Sequence, residues 1–417
     1  MSRKWFIVVP LVAVELLLCA GILAVFWGGY QWVSERGLRV EAFGADTVSA
    51  ESDETQTLPV SGPATLTLDN TAGSVTVTAG TGSEIVLSAH KTVWGATEAE
   101  AQAALADLKI TVTQTGNAVT IKVVQPAEVT LVGQTRGGSV DFTLSVPADT
   151  ALDLSTGFGE VTASGVTSGA RLHSSSGTIE ATDVAGDLVL TTDFGDVTLE
   201  RAAAGTVEAG SSSGQVTLRQ VEATGAVALH SDFGDVSFGD GSAASVAAKT
   251  SSGAVTLRDL SVAGAVEAHS DFGDLSVTQV DAADGYDLGT SSGAVTLTGA
   301  TGTVKADTGF GDILITEAET VTLDAHSSSG SLTFAGSLGA GPHSLRTDFG
   351  DILLRLPADA TASFDFSTDF GSLNSALPVT LTGELDESSW QGTLGGGGPQ
   401  LTVHTSSGSI RVEKLSA

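Results

Sequence analysis

The stretch Val227-Ala-Leu-His-Ser-Asp-Phe-Gly-Asp-Val-Ser-Phe238 decides the fold. Its apolar residues alternate at Val227 and Leu229 and again from Val236 onward, which is typical of two short strands with one buried face. The step from Leu229 to Val236 is odd, so the period of two slips once between them. A tight turn in which Gly234 supplies a positive φ would explain this slip.

The same pattern recurs along the chain, and we call the glycine at the centre of each copy the column glycine. Successive copies lie 18 to 21 residues apart, except for a last gap of 37, which fits two repeats. The third residue before each column glycine is Ser or Thr, and the second residue after it is Val, Ile or Leu. The column glycines are Gly159, Gly177, Gly195, Gly214, Gly234, Gly253, Gly273, Gly293, Gly311, Gly330, Gly350, Gly371 and Gly408.

Units this short cannot bury an apolar face alone, whereas stacked units share a continuous core. We therefore predict an all-β fold, a single-stranded parallel β-solenoid of about 13 coils of 18–21 residues. The residue before the column glycine alternates between Phe and Ser. Either each repeat is one coil of about 20 residues, or two repeats make one coil of about 39. The longer coil would stack carboxylates directly over one another, which repels, so we favour the shorter one.

The N-terminus predicts a membrane anchor. Residues 5–27 are an apolar run long enough to cross a bilayer, and Arg3 and Lys4 precede it, which favours an extracytoplasmic C-terminal part. A cleaved signal peptide would have a shorter apolar core. Glu15 lies within the run and is a candidate contact for a membrane partner. We assign residues 1–32 to a single-pass anchor in the cell membrane and 33–57 to an acidic juxtamembrane stalk.

Residues 58–147 predict an N-terminal cap, and residues 148–417 the solenoid. The cap has strand-like alternation interrupted at 97–108, where Thr97 and Glu100 form a capping box and apolar residues share one helical face. Because a solenoid exposes the edges of its end strands, we expect this short helix to cover such an edge.

Charge and composition exclude several functions. The chain has 49 acidic and 18 basic residues, a formal net charge of −31, which excludes nucleic-acid binding through phosphate contacts. The single cysteine, Cys19, excludes an intrachain disulfide framework. Motifs such as Gly210-Ser-Ser-Ser-Gly214 match the nucleophile elbow of serine hydrolases, but no helix is predicted after them. We therefore expect no catalysis.

Carboxylates at the turn are the candidate metal ligands. They flank the Phe-Gly of four repeats, and hard oxygen ligands suit Ca²⁺. A solvated acidic edge is the alternative, and no other cofactor is predicted. Five of the seven histidines share one slot, four residues before the column glycine, which we expect to face solvent. Exposed aromatic side chains are expected to be scarce, with Trp94 and Trp390 the candidates. The candidate Ca²⁺ ligands are Asp193, Asp196, Asp232, Asp235, Asp271, Asp274, Asp348 and Asp351.

A family resemblance rests on three segments. The first is Phe142-Thr-Leu-Ser-Val-Pro-Ala-Asp-Thr-Ala-Leu-Asp-Leu-Ser-Thr-Gly-Phe-Gly-Glu-Val161, which recurs in similar form over residues 354–371, and the third is the Gly-rich closing segment over residues 395–412. Over residues 60–417 the chain resembles a bacterial and archaeal family of β-strand-repeat proteins described as candidate adhesins, a domain of unknown function. The resemblance implies a β-solenoid and offers no catalytic residues.

These observations predict a membrane-anchored, extracytoplasmic β-solenoid that acts as an adhesin-like surface binding or scaffold protein. Its expected partners are the membrane, through the anchor, and a cell-surface polysaccharide or envelope protein. One alternative is an envelope-stress or signalling scaffold that works through a membrane partner. A polysaccharide-active β-helix enzyme is a further alternative, although the regular repeat spacing leaves little room for the loops that wall a catalytic groove.

Overall fold

A computed structural model describes residues 48–125, 138–382 and 386–415 of the chain. These residues form 33 β-strands and one α-helix, and from Ser49 onward they belong to one compact unit. The predicted anchor, Glu15 and the stalk up to residue 47 lie outside the described residues. Within the described ranges, no helix has the length and apolar character needed to span a bilayer.

Each repeat contributes two strands, one before and one after its column glycine. The strands before the glycine stack in parallel as face A, and the strands after it stack in parallel as face B. Face A contains β8 (Thr150–Phe158), β10 (Ala170–Ser176), β12 (Ala185–Phe194), the later part of β13 (Val197–Ser213), β15 (Ala226–Ser231), β17 (Ser245–Thr250), β19 (Ala265–Ser270), β21 (Gly285–Ser292), β23 (Thr301–Phe310), the later part of β24 (Ile313–Ser329) and β26 (His343–Phe349). Face B contains β9 (Val161–Ser164), β11 (Ile179–Thr182), the first part of β13, β14 (Val216–Ala223), β16 (Val236–Ala243), β18 (Val255–Val262), β20 (Leu275–Ala282), β22 (Val295–Thr298), the first part of β24, β25 (Leu332–Leu338) and β27 (Ile352–Leu356).

The register confirms one repeat per coil. Ala170 lies opposite Leu188, 18 residues on, and Val207 lies opposite Val227, 20 residues on. We call each coil a level, numbered by its column glycine. The chain winds through about 10 successive turns between the levels of Gly159 and Gly350. The continuous winding is therefore shorter than the predicted 13 coils, because the last two repeats, at Gly371 and Gly408, are levels of the stack but not successive turns of the winding.

The C-terminal end is stacked out of chain order. Its strands are β28 (Ala362–Phe370), β29 (Leu373–Ser375), β30 (Val379–Leu381), β31 (Ser389–Leu394), β32 (Gln400–Ser407) and β33 (Ile410–Lys414). Strand β32 pairs in parallel with both β26 and β28, and β33 pairs in parallel with both β27 and β29. The level of Gly408 therefore lies between the levels of Gly350 and Gly371, and the antiparallel strands β31 and β30 continue face A beyond it.

The N-terminal end begins the stack earlier in the chain than predicted. Its elements are β1 (Val48–Pro59), β2 (Ala64–Ala72), β3 (Val75–Gly80), β4 (Glu84–Gly95), α1 (Glu98–Asp107), β5 (Lys109–Thr115), β6 (Ala118–Val124) and β7 (Gly138–Pro147). Strands β2 and β3 pair in parallel with β8 and β9, so Gly73 adds a level before Gly159. Strands β6 and β5 extend face A, while β7, β4 and β1 extend face B.

Two predicted segments of this end differ in detail from the structure. Residues 48–57, assigned to the stalk, lie in strand β1, where Asp53 and Glu54 contact His90 and Lys91 of β4 at 2.8 and 2.7 Å. The predicted helix is present, with Thr97 accepting a hydrogen bond from the backbone N–H of Glu100. It packs on β4, one strand inside the edge strand β1, instead of on the edge itself.

The core is one continuous cluster between the two faces, built as the alternation predicts. At the level of Gly234, the buried side chains include Val227 and Leu229 from face A and Val236 and Phe238 from face B. The period also slips a second time, because the inward side chains of β14 are Leu218 and then Val221.

A left-handed residue, six positions after the column glycine, makes this second slip. Gln220 has a φ of 52°, and the same slot is left-handed at eight further levels. We call this slot the left-handed corner. Its other members are Gly165, Asp183, Arg201, Asp240, Asp259, Gln279, Gly299 and Glu317.

Candidate functional site

The column glycines are required by close packing between levels. A Cβ on Gly253 would overlap the backbone carbonyl oxygen of Gly234, and the same collision occurs at every column glycine. The predicted reason, a positive φ, holds for Gly159, Gly195 and Gly311 but not for Gly234. Glycine is therefore needed because the turns of successive levels approach too closely for any side chain.

A column of buried hydroxyls lies three residues before these glycines, on the inner side of face A. At each level the Ser or Thr hydroxyl donates to the carbonyl oxygen of the preceding column glycine, at 2.8 to 3.0 Å. The Ser/Thr slot of the repeat is therefore a ladder of hydroxyls whose acceptors are backbone carbonyls of the turn. Asn70 takes this slot at the level of Gly73, where its amide donates to the carbonyls of Gly73 and Val140.

The aspartates that follow the column glycine also bind backbone. One carboxylate oxygen of Asp235 accepts the N–H of Ala254 in the next level at 2.8 Å, and Asp196, Asp274 and Asp351 do the same at 2.7 to 2.8 Å. Asp312, outside the predicted set, makes the same bond. These carboxylates join levels, so this half of the predicted pairs is not merely a solvated edge.

The aspartates that precede the Phe face the outer side of face A. Asp232 contacts the Nε2 of His230 at 3.0 Å, and Asp348 lies 3.9 Å from Arg346. Asp193 and Asp271 are exposed. Across the described ranges, no group of three His, Cys, Asp or Glu residues is placed to hold a metal ion. The assignment of the Asp pairs to Ca²⁺ stays a prediction.

The five histidines of the shared slot lie on the outer side of face A, as expected. His230 is exposed, and His173, His269, His326 and His404 are half-buried. His230 and His269 are separated by the level of Lys249, which keeps them two levels apart.

A sixth histidine, His343, is buried in a slot that most other levels fill with Val or Leu. Its Nδ1 accepts from the backbone N–H of Leu323 at 3.2 Å, and its Nε2 lies 3.1 Å from the carbonyl oxygen of Gly339. These bonds fit the neutral ring with its proton on Nε2. Burial lowers the pKa of His343 below its ordinary value. The sequence alone did not single out this residue.

The elbow-like motif lies between two strands. Ser212, its central serine, is in β13, and β14 follows from Val216. The neighbouring Ser211 donates to the carbonyl of Gly195. A nucleophile elbow needs a helix directly after the serine. The expectation of no catalysis stays a prediction.

The most prominent surface feature is a line of phenylalanines, which contradicts the expectation that exposed aromatics are scarce. The Phe before the column glycine is 63 to 80% exposed at seven levels. Ser176 lies opposite Phe158 and Phe194, and Ser407 lies opposite Phe349 and Phe370, so Phe and Ser alternate without a break even where the levels are out of chain order. The seven are Phe158, Phe194, Phe233, Phe272, Phe310, Phe349 and Phe370.

We define the phenylalanine edge as the four residues from two before to one after each of the thirteen column glycines. It contains eleven acidic residues and no Lys, Arg or His. All the acids belong to Phe levels, whereas the Ser levels are uncharged. The acids are Glu160, Asp193, Asp196, Asp232, Asp235, Asp271, Asp274, Asp312, Asp348, Asp351 and Asp369.

The exposure of these rings could have been inferred from the repeats. A slot that holds Phe at one level and Ser at the next cannot be a close-packed core position, because the two side chains differ too much in volume. The histidine slot holds Thr191, Lys249 or Asp307 at other levels, and the same comparison between repeats predicts that it faces solvent. Trp94 is 45% exposed, but Trp390 packs against the core.

Stacked two-strand levels, a glycine turn and an acidic aromatic edge define a non-globular repeat protein of the parallel β-solenoid class. A family model for the Toastrack family, DUF4097, matches residues 64–303 and 245–413. The chain therefore belongs to the Toastrack family, which the sequence resemblance had indicated.

Two solved structures are similar to the chain. A candidate cell adhesion protein from Clostridium sporogenes is 8% identical, with a TM-score of 0.19, and the match covers 88% of this chain and 100% of that one. A candidate adhesin from Bacteroides fragilis is 12% identical, with a TM-score of 0.24, and the match covers 87% of this chain and 97% of that one. No protein of curated function matches the sequence.

Proposed function

We propose that this protein is a membrane-anchored, extracytoplasmic binding protein of adhesin-like character, which holds its ligand along the phenylalanine edge and catalyses no reaction. The anchor is supported by the apolar run over residues 5–27 and by Arg3 and Lys4 before it. The acidic surface keeps such a protein soluble outside the bilayer.

The exposed phenylalanines carry this proposal. Burying a Phe side chain contributes about 1.5–3 kcal/mol, and each of the seven rings remains largely in water. One exposed apolar side chain needs no explanation, but a row that repeats at every second level marks an interaction surface. The intervening levels show that Ser is accepted in the same slot, so folding of a level does not require Phe there.

A signalling scaffold with a membrane partner is the second candidate, and Glu15 favours it. A carboxyl group within an apolar run destabilises insertion by about 3 kcal/mol, so its presence points to a contact within the membrane. This candidate predicts that Glu15→Leu abolishes the recovery of a membrane protein with the full-length chain. The binding function predicts that this change leaves ligand retention at the edge unchanged.

The test of the binding function uses the full-length protein in detergent and the variant Phe233→Ser/Phe272→Ser/Phe310→Ser. The probes are the purified cell-wall polysaccharide and the solubilised envelope proteins of the host, each with calcium and with chelator. We expect the variant to unfold at the same temperature within about 2 °C and to lose retention about tenfold. Trp94→Ser, an exposed aromatic away from the edge, is the matched control. Equal retention by all three proteins would refute the proposal.

A further inference from the structure

The spacing of the phenylalanines defines the repeat of the ligand. Phe194 and Phe233 lie on either side of the level of Ser213, so successive rings are two strand spacings apart, about 9.6 Å. A polyproline II helix advances about 3.1 Å per residue with three residues per turn, or about 9.3 Å per turn. Every third side chain of such a peptide therefore meets a successive Phe level.

The charge of the edge defines the sign of the charge on the ligand. Asp193 and Asp196 flank Phe194, and the same arrangement recurs around Phe233, Phe272 and Phe349. With eleven acids and no basic residue, the edge repels an anionic polymer and repels a second copy of itself. It attracts Lys and Arg side chains.

The two kinds of level offer complementary contacts. Exposed aromatic rings pack against proline rings in recognition of polyproline II segments, and they attract Lys or Arg cations over the ring face. A polyproline II backbone has no internal hydrogen bonds, so its carbonyls need donors. The Ser side chains at the levels between the rings, such as Ser213 and Ser252, are small and carry hydroxyl groups. They can donate hydrogen bonds to the carbonyls of a peptide that lies across them.

We propose that the ligand of the phenylalanine edge is a proline-rich peptide segment that carries Lys or Arg and lies along the edge as a polyproline II helix. This inference rests on the proposed function and names its ligand class. The thirteen levels span about 58 Å, which corresponds to about 19 residues of such a helix. A segment of this length would place a proline or basic side chain on each of the seven rings.

The test is fluorescence anisotropy with the full-length protein in detergent and the labelled peptide of six Pro-Pro-Lys units. We expect micromolar binding that Phe233→Ser/Phe272→Ser/Phe310→Ser weakens about tenfold and Trp94→Ser leaves unchanged. Six Gly-Ser-Lys units have the same charge without the helix, and six Pro-Pro-Glu units have the helix with the opposite charge. Both are expected to bind about tenfold more weakly than the Pro-Pro-Lys peptide.

The other outcomes separate the two proposals. If the Pro-Pro-Lys and Gly-Ser-Lys peptides bind equally well and the Phe substitutions do not weaken their binding, the interaction is charge attraction alone and this inference is refuted. Binding of a β-1,4-linked chito-oligosaccharide that the Phe changes abolish would refute it and leave the binding function intact. Self-association in sedimentation that the Phe changes abolish would assign the edge to a second copy and also refute it. If no probe binds in a way that depends on the edge phenylalanines, both proposals are refuted.

Discussion

At the scale of single residues, the column glycines and the hydroxyls beside them act as one unit. The glycines let backbones of successive turns approach, and this approach brings each glycine carbonyl within reach of the hydroxyl of the next level, as between Thr250 and Gly234 at 2.9 Å. A buried carbonyl without a donor is costly, so both residue types are needed at each level.

The first prediction concerns Gly253→Ala. Because the added Cβ would overlap the carbonyl of Gly234, the turn must open, and we expect a loss of about 1–3 kcal/mol in the free energy of unfolding. Gly210→Ala is the control, since its Cβ would lie an ordinary 3.6 Å from the carbonyl oxygen of His230. We expect its effect to be within about 0.5 kcal/mol by denaturant unfolding. Equal losses for both variants would contradict the close-packing explanation.

The second prediction concerns pH and His343. In the folded protein the pKa of His343 is below the ordinary histidine value of 6.5. At a pH between these two values, the unfolded chain therefore binds more protons than the folded chain. Stability should therefore fall as the pH falls below about 6.5, by at most about 1.4 kcal/mol per pH unit for this group. In denaturant titrations from pH 7 to 5, His343→Leu should give a flatter dependence than the native protein. Parallel curves would show that His343 does not contribute.

At the scale of the element, each repeat turns two corners that are built differently. The glycine turn depends on the absence of a side chain, whereas seven of the nine left-handed corners are occupied by non-glycine residues, which rarely adopt this conformation. Charged residues at that corner pair between levels, as Arg201 does with Asp183 at 2.8 and 3.1 Å. The Arg201 guanidinium lowers the pKa of the Asp183 carboxyl.

The third prediction uses the left-handed corner. A non-glycine residue with this φ is less stable than glycine by about 1–2 kcal/mol, and glycine loses about 0.5–1 kcal/mol through chain entropy. We expect Gln220→Gly to raise the free energy of unfolding by about 0.5–1 kcal/mol. Arg219→Gly, at the exposed residue just before it in the same strand, should lower it by about 0.5–1 kcal/mol. If both changes lower stability in chemical denaturation, the corner is not strained.

At the scale of the described solenoid, stability comes from nearest-neighbour stacking, and the C-terminal end closes it. Strands β32 and β33 pair on both sides, so they belong to the interior of the stack although they come late in the sequence. An open end of a β-solenoid exposes unpaired strand edges, which promote aggregation.

The fourth prediction is a truncation. Removing residues 399–417 takes away β32 and β33 and leaves β28 and β29 without a level to stack on. We expect a lower unfolding temperature and aggregation visible in light scattering. Removing residues 416–417 alone is the control and should leave both measurements unchanged. A truncated protein that stays monomeric with the native melting temperature would argue against closure by these strands.

The sequence predicted the repeat and which of its apolar residues face the core, because alternation within a strand follows directly from side-chain geometry. It also predicted the hydroxyl slot and the helix cap at Thr97. It missed the left-handed corner, because Asp, Gln, Arg or Glu occupies it at seven of the nine levels, where glycine would have marked it. It missed the insertion at Gly408, because the order of levels depends on which strand edges are open in the folded chain.

The candidate site was only partly predictable. The alternation of Phe and Ser was visible in the sequence, but parity within one repeat cannot distinguish inward from outward at the turn, and only the comparison of the slot between repeats indicates that the rings are exposed. The acidic pairs were visible as well, although Asp235 and its equivalents bond to the backbone of a residue 19 or more positions away. Such contacts exist only after the levels have stacked.

The inverted order of the last levels has a consequence for biosynthesis. A ribosome produces the segment 362–375 before 400–414, yet the earlier segment stacks on the later one. Winding during synthesis can therefore proceed level by level only as far as Gly350. In a released chain that ends at residue 398, a protease pulse should cut within 362–375 and spare the earlier levels, and equal protection of both would contradict this order. The final levels can then be completed only after translation has passed residue 414, so the newborn protein carries an unfinished end until that moment.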